Sequence, residues 1–418
     1  MTIARVLLLL LWASAACAKV DTLRIATYNL LKFPFDNGAS RIIHFRTVMQ
    51  ALQPDILLVQ ELESEQGMLT FLREVLNAGQ GNVYQSAPYA NGFDTDNGLF
   101  YKTGKVSLLG AQQIRTSLRD ISEYVLSAPG AEFHCYSLHL KAGNTPEDEN
   151  RRRNEATILR NYLNNLPANT NFIVVGDFNS YRSSDAGLAK LTESQADNDG
   201  RGFDPLNSTG SWNNNSGFAV IHTQSTRTAA VDSGSTGGLD DRFDLLLVSS
   251  GVIAPGGMDI LNGTYRSFGN DGRHFNQDIN AGTNTAVSQN VANALHFASD
   301  HLPVFADFVV GVTSRVEEKS ENLPARFELL QNYPNPFNAK TQISFVLPEP
   351  ARVILEVYNL QGSRLRNLDE ADYPAGTHRV VWDGLNDSGM PAASGVYLYI
   401  LKAASFSVMR KMVLLPRD

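Results

Sequence analysis

The sequence predicts an α+β chain: a four-layer α/β sandwich, two packed β-sheets flanked by helices, followed by a small C-terminal all-β sandwich. Three observations predict it. Short apolar runs rich in β-branched residues alternate with a few helical stretches and many hairpin signals, the pattern of sheets packed face to face under helices. Polar side chains recur where those apolar runs end. Beyond a charged linker the chain changes to regular alternation broken by Gly, Pro and Asn turns.

The 418 residues are long enough for two domains, and 43% apolar with 19% charged is a globular composition. Residues 1–18 read as a signal peptide, with Arg5 as the positive region, Val6 to Trp12 as an apolar stretch too short to span a bilayer, and Ala16-Cys17-Ala18 as a small-residue cleavage site. Cys17 weakly imitates a lipoprotein box, but the Leu such a box wants is missing, so cleavage before Lys19 is expected. Cys135 is then the only cysteine left, which rules out an intramolecular disulfide. Its apolar run makes it a packing residue. The net charge is −8 and the acidic excess lies in residues 19–312. A broad basic nucleic-acid platform is therefore excluded, whereas an enzyme that meets phosphate through a bound cation is not.

In chain order, Leu23 to Leu30 reads as a strand with Asn29 near its end. A helix from about Ser40 to Leu52 follows, closed by Pro54-Asp55. Ile56-Leu-Leu-Val-Gln-Glu61 is a second buried strand that delivers a carboxylate at its exit. A helix from roughly Glu63 to Ala78 comes next. Gly98 to Lys102 and Val106 to Leu109 read as paired strands around Thr103-Gly104. Ile121 to Leu126 and Glu132 to Leu140 form another pair around Pro129-Gly130, the second ending at His139. A polar helix runs through Arg160 and Tyr162, and its Arg151-Arg152-Arg153 cluster is offset by neighbouring acids.

The stretch Phe172-Ile-Val-Val-Gly-Asp-Phe-Asn-Ser180 is a buried strand with a polar exit. Period-two alternation turns Asp177 and Asn179 to one side and Phe178 to the core. A carboxylate and an amide so placed can orient a water and a phosphate oxygen; an Asx turn accounts for the same two residues. Arg242 to Val248 is a strand that opens with Asp244, and Ser299-Asp300-His301 precedes the strand Val304 to Val310. Each of these polar residues has a structural reading as turn, cap or satisfied core group. Together they point to one polar cleft at the end of a sandwich.

Thr27-Tyr28-Asn29, Gln60-Glu61, Ser137-Leu138-His139, Gly176-Asp177-Phe178-Asn179, Arg242-Phe243-Asp244 and Ser299-Asp300-His301 resemble, in order, the motifs of the endonuclease/exonuclease/phosphatase superfamily, over residues 19 to about 311. The resemblance implies a divalent-metal-dependent phosphoric diester hydrolase. It implies that Asn29, Glu61 and Asp300 are metal ligands for Mg²⁺, with Ca²⁺ or Mn²⁺ as alternatives. Asp177 would orient or deprotonate water, Asn179 would hold the water or a phosphate oxygen, and His301 would meet the phosphate with Asp244 fixing its tautomer. His139 resembles a second histidine of the deoxyribonuclease and sphingomyelinase branches, and Arg119 matches a phosphate-contacting arginine. The substrate implied is nucleic acid, DNA ahead of RNA, with a sphingomyelinase-type phospholipid enzyme, a small-molecule phosphatase and a binding scaffold as alternatives. The disulfide-forming cysteines of the deoxyribonuclease branch are absent. The long segments 181–240 and 262–298 are expected as loops, with His274 in the second either reading substrate or belonging to a surface turn. No exposed aromatic hairpin suited to membrane entry is expected, nor any integral membrane segment, and a monomer is expected.

Residues 313–325 read as a polar linker. Residues 326–418 resemble the C-terminal sorting domain of the type IX secretion system of Bacteroidetes-like bacteria, an immunoglobulin-like sandwich. The matching stretches are Asn332-Tyr-Pro-Asn-Pro-Phe-Asn338, Trp382 to Gly389, Gly395-Val-Tyr397 and Arg410 to Leu415. A carbohydrate-binding or structural immunoglobulin-like module fits as well. The resemblance implies type IX secretion machinery as a partner, export to the medium or outer-membrane surface, and no catalytic role for the tail.

Overall fold

The computed structural model describes residues 21–311 and 327–416, apart from residues 36, 254–256, 333–334, 339, 374–375 and 404–405. The expected signal peptide, the linker 313–325 and Tyr333-Pro334 of the tail motif lie outside the described residues. The chain packs as two compact units, each described by itself.

The first unit opens with β1 (Asp21–Phe33), α1 (Gly38–Leu52) and β2 (Ile56–Leu62). A helix this long is what lets two consecutive strands lie parallel. After α2 (Glu65–Thr70), which continues as a wider π-type turn through Leu76, come β3 (Tyr84–Ser86) and β4 (Asp96–Lys102). The chain then crosses to a second sheet with β5 (Ser107–Ile114), β6 (Ile121–Ala128), β7 (Ala131–His139), α3 (Pro146–Asn164) and β8 (Phe172–Asp177). Thr145 and Asp148 close a capping box at the start of α3. Next are α4 (Ala186–Thr192), β9 (Asp244–Val248), α5 (Ser250–Ile253), β10 (Met258–Ile260), β11 (Arg266–Ser267), α6 (Gln289–Ala298) and β12 (Val304–Val310).

One sheet has the order β10-β12-β1-β2-β4-β3, with β11 also on β12, and the other β5-β6-β7-β8-β9. Each contains one parallel pair, β1 with β2 and β7 with β8, made by a strand–helix–strand crossover. Between the sheets Leu23, Ile25, Ile56 and Leu58 meet Phe133, Cys135, Ile173, Val175, Leu246 and Val248. The opposite parity faces outward. Tyr28, Leu57 and Val59 lie under α1 and α6, and Tyr136, Leu138, Val174 and Leu247 lie under α3 and α4. Burial on both faces explains why these strands read as continuous apolar runs. Cys135 is a free, buried thiol.

Two expectations are corrected. Thr103-Gly104 does mark a turn, but it does not join a hairpin: β4 pairs with β2 and β3, and β5 pairs with β6 in the other sheet. His274 is no substrate reader. It is 3% exposed, with Nδ1 2.8 Å from Asp271 and Nε2 2.9 Å from the Ala281 carbonyl, so it ties its loop together.

The second unit is all β: β13 (Glu328–Leu329), β14 (Thr341–Leu347), β15 (Ala351–Asn359), β16 (Arg364–Tyr373), β17 (Gly376–Trp382), β18 (Gly395–Ala403) and β19 (Phe406–Leu414). Antiparallel sheets β13-β14-β17 and β16-β15-β18-β19 enclose Phe345, Leu355, Trp382, Tyr399 and Met412. The buried Trp382 indole donates to the Leu385 carbonyl, which meets the requirement that a buried N–H be paired.

Gly176 lets β7 and β8 come together beside the polar strand ends. Its φ is 133°, and a Cβ there would stand 2.0 Å from the Leu138 carbonyl oxygen. Gly176→Ala is expected to destabilise the protein by about 2 kcal/mol or more through strain and overpacking. Gly110→Ala on β5, where a Cβ meets nothing within 4 Å, is expected to be near neutral. Urea unfolding of the two variants side by side measures the difference.

Candidate active site

The cleft is the polar mouth of the core between the sheets. On β1 the inward parity runs Leu23, Ile25, Thr27, Asn29; on β7, Phe133, Cys135, Ser137, His139; on β8, Ile173, Val175, Asp177; on β9, Val248, Leu246, Asp244. Because side chains alternate with period two, one face that begins in the core ends in the cleft. The change of character is gradual. Thr27 Oγ1 donates to Gln60 Oε1 at 3.1 Å, and Gln60 Nε2 donates to Ser137 Oγ at 2.9 Å, so a hydrogen-bonded layer links the sheets just below the site. In register, His139 lies beside Asp177, and Asp177 beside Asp244.

His301 arrives from the loop between α6 and β12. Ser299 Oγ donates to the Asn29 carbonyl at 2.7 Å, which pins this loop to the end of β1. His301 Nδ1 is 2.7 Å from Asp244 Oδ2, and Nε2 is 3.8 Å from Asp177 Oδ2. His139 Nε2 is 3.5 Å from the same Asp177 oxygen. Asp177 Oδ1 accepts from the Asn179 backbone N–H at 2.9 Å, and the Asn179 amide donates to the Leu140 carbonyl at 3.0 Å. Asn179 has φ 49°, a left-handed backbone that Asn tolerates better than most residues. The cleft has a volume of ≈ 250 Å³, and Glu61, His139, Asp177, Asn179, Asp300 and His301 line it.

Burial and charge drive these groups apart. Burial, countered by His301 and reinforced by Asp244 and Glu61, pushes Asp177 up to about 7. Against the pull of burial, the carboxylates of Asp244, Asp300 and Asp177 raise His301 well above the ordinary histidine range. Burial, helped by Arg119 and His301, holds His139 well below it. The cleft therefore pushes its two imidazoles in opposite directions and the Asp177 carboxyl upward. Such a separation of protonation states is what acid–base chemistry needs.

Glu61 and Asp300 are the groups suited to a divalent cation. A bulge between β1 and β2 puts Leu31, Lys32 and Glu61 at positive φ and turns the Glu61 carboxylate into the cleft. Glu61 Oε1 accepts from Asn29 Nδ2 at 3.0 Å, and Oε2 accepts from the Lys32 N–H at 3.1 Å. Asp300 Oδ2 accepts from the Ser235 N–H at 2.7 Å, whereas its buried Oδ1 has no hydrogen-bond partner. Burial and the charge of Asp300 raise Glu61. Hard carboxylate oxygens, mutual repulsion and an orphaned acceptor fit Mg²⁺ or Ca²⁺. Asn29 is placed differently from the expectation. Its oxygen accepts from the Leu31 N–H at 2.9 Å and its amide nitrogen faces Glu61 and Asp177, so it supports the carboxylates. Among the described residues no three His, Cys, Asp or Glu side chains are grouped so that they could hold a metal ion by themselves.

Arg119 does not line the cleft. Its Nη2 pairs with Asp94 at 2.8 Å and its Nη1 donates to the Leu140 carbonyl at 3.4 Å, so it acts on His139 and Glu61 through its charge. Phe93, at the turn between β3 and β4 and next to Asp94, is 89% exposed. Residues missed from sequence also line the cleft: Lys32, Tyr181, Gln224, Ser233, Ser235 and Phe243. The Gln224 side-chain amide nitrogen lies 2.6 Å from His301 Nε2. Tyr181 lies beyond the end of β8 and past the left-handed Asn179, so it, like Gln224 and Ser235, carries no local pattern.

A family model described as the endonuclease/exonuclease/phosphatase family matches residues 26–301, and one described as the FlgD Ig-like domain matches residues 333–406. No curated protein matches the chain. Similar solved structures include D. rerio TDP2 complexed with single-strand DNA product, with 16% identity, 69% of this chain and 98% of that chain covered, and a TM-score of 0.47. The human Nocturnin catalytic domain with bound sulfate has 18% identity, covers 69% and 97%, and scores 0.42. An endonuclease/exonuclease/phosphatase family protein from Bacteroides thetaiotaomicron has 18% identity, covers 70% and 100%, and scores 0.43.

Asp244→Asn removes the charge opposite His301 Nδ1 while preserving shape. It is expected to lower kcat for hydrolysis of bis(p-nitrophenyl) phosphate by about 10²- to 10⁴-fold with KM little changed. Steady-state kinetics at saturating Mg²⁺ checks this.

Proposed function

This chain belongs to the endonuclease/exonuclease/phosphatase family, whose members are phosphoester hydrolases that generally use divalent metals, and we propose that it is a secreted phosphodiesterase cleaving nucleic-acid backbones. The observation that carries the reading is the placement of His301, with Nδ1 2.7 Å from Asp244 and Nε2 3.8 Å from Asp177. A charged donor and a proton acceptor then face one small space.

In this reading Glu61 and Asp300 hold the divalent ion, with Asn29 donating to Glu61. A bound Mg²⁺ supplies Lewis-acid neutralisation of phosphate charge. Asp177 takes a proton from the attacking water, a role its position near neutrality suits. Asn179, anchored to the Leu140 carbonyl, borders that water's position. His301 donates through Nε2 to a phosphate oxygen once the Gln224 amide gives way, and Asp244 keeps its proton at Nδ1. His139, uncharged, offers a second nitrogen beside Asp177.

Export is part of the proposal. The residue pattern of 1–18 supports a signal peptide. The similarity of the second unit to an Ig-like domain is compatible with a sorting role for residues 326–418, for which the type IX motifs are the support. Among the described residues no helix is long and apolar enough to cross a membrane. Phe93 favours a second reading, a phospholipid phosphodiesterase, because an exposed aromatic on a surface loop suits an interface between water and lipid.

Purified protein is expected to nick plasmid DNA with Mg²⁺, to stop with EDTA and to lose activity as His301→Ala. Phosphocholine release from sphingomyelin with plasmid left intact would replace the nucleic-acid reading with the lipid one. Gel and phosphocholine assays run in parallel separate the two.

A further inference from the structure

Tyr181 is a cleft residue that the phosphate chemistry leaves unused. It lies two residues beyond Asn179, and its ring packs edge-to-face on Phe243, with centroids 5.0 Å apart and planes at 83°. Phe243 is 4% exposed and itself lines the cleft, so Tyr181 rests on a fixed support. The backbone is held as firmly. The Tyr181 carbonyl accepts from the Trp212 and Asn213 N–H groups at 3.0 and 3.2 Å, and the next residue, Arg182, pairs with Glu149 at 2.8 Å. The phenol hydroxyl has no partner among the described residues, although the ring is half-buried. An edge-to-face contact occupies at most one face of either ring. A half-buried aromatic braced by Phe243 therefore lines the same cleft as Asp177, Asn179 and His301.

The charge distribution points the same way. Lys32 is the only Lys or Arg among the residues lining the cleft, against three carboxylates, Glu61, Asp177 and Asp300. The cleft itself therefore offers little positive side-chain charge with which to hold phosphates next to the one being cut. Stacking is the sequence-tolerant way to hold a nucleotide when charge does not, because every base has a π-face.

We propose that Tyr181, backed by Phe243, is a stacking platform for the nucleobase next to the scissile phosphate, so that the preferred substrate is an unpaired nucleotide strand. This rests on the nucleic-acid reading above and adds to it the part of the substrate that is recognised. A base in a duplex is stacked on both sides and cannot offer that face without leaving the helix. Phospholipid headgroups have no flat ring to place there.

The test uses single-stranded oligothymidylate with one abasic (tetrahydrofuran) residue, cleaved by the full chain with Mg²⁺ and analysed at each linkage. The wild type is expected to cut linkages flanked by bases about 5- to 100-fold faster than those beside the abasic residue, the range that one base stack supports. Tyr181→Leu is expected to level the two rates, and Tyr181→Phe, which keeps the ring, to preserve the difference. Equal wild-type rates at abasic and base-flanked linkages would overturn the stacking platform and leave the nuclease standing, a result that needs no variant to fold. Failure to cut any oligonucleotide, with phosphocholine released from sphingomyelin, would overturn both.

Discussion

The structure depends on one constraint, the period-two register of four adjacent strands across two packed sheets. The face of β1, β7, β8 and β9 that supplies the inter-sheet core is the face that ends in Asn29, His139, Asp177 and Asp244. A slip of one residue in any of them would turn an amide, imidazole or carboxylate toward an outer helix and a core side chain out of the inter-sheet core. Gly176, with no room for a Cβ beside Leu138, lets β8 approach β7 closely enough to keep that register. Fold and site are thus one packing solution, apolar at one end and polar at the other.

Such a concentration of buried ionisable groups would be costly without partners. Asp244 Oδ2 pairs with His301 Nδ1 while Asp244 Oδ1 is left without a partner, and Asp177 stands near both histidines. Glu61 and Asp300 remain mutually repelling, with one Asp300 oxygen unpaired. In the proposed reading a divalent ion would relieve that repulsion and take up the unpaired oxygen. Hard carboxylate oxygens of this kind would favour a hard cation there. The bulge that turns Glu61 inward at φ 61° is local strain of the kind that persists where surrounding packing enforces it.

Much of this was legible in the sequence because it is written in local patterns. Buried strands announce themselves as apolar runs, and their polar exits follow by alternation. What was missed depends on contacts distant in sequence. Thr103-Gly104 shows where the chain turns but not which strand it will pair with, so β5 was assigned to the wrong partner. Arg119 looks like a phosphate contact until Asp94, 25 residues earlier, is found on its guanidinium. Gln224 reaches His301 through an isolated bridge that no periodicity signals. Asn29 is a local exception: the resemblance implies a metal ligand, whereas the Leu31 N–H two residues on takes its oxygen.

In the second unit the alternating runs and their turns were likewise readable, and Trp382 and Tyr399 close its core. The catalytic proposal for the first unit stands or falls on the cation. Calorimetric titration of the purified protein with Mn²⁺ alone, repeated on Glu61→Gln and Asp300→Asn, measures this directly. One ion per chain in the wild type, weakened about tenfold or more in each variant, is expected from two carboxylates sharing a single ion. Wild-type protein that binds no ion, or variants that bind it as tightly as the wild type, would contradict the assignment.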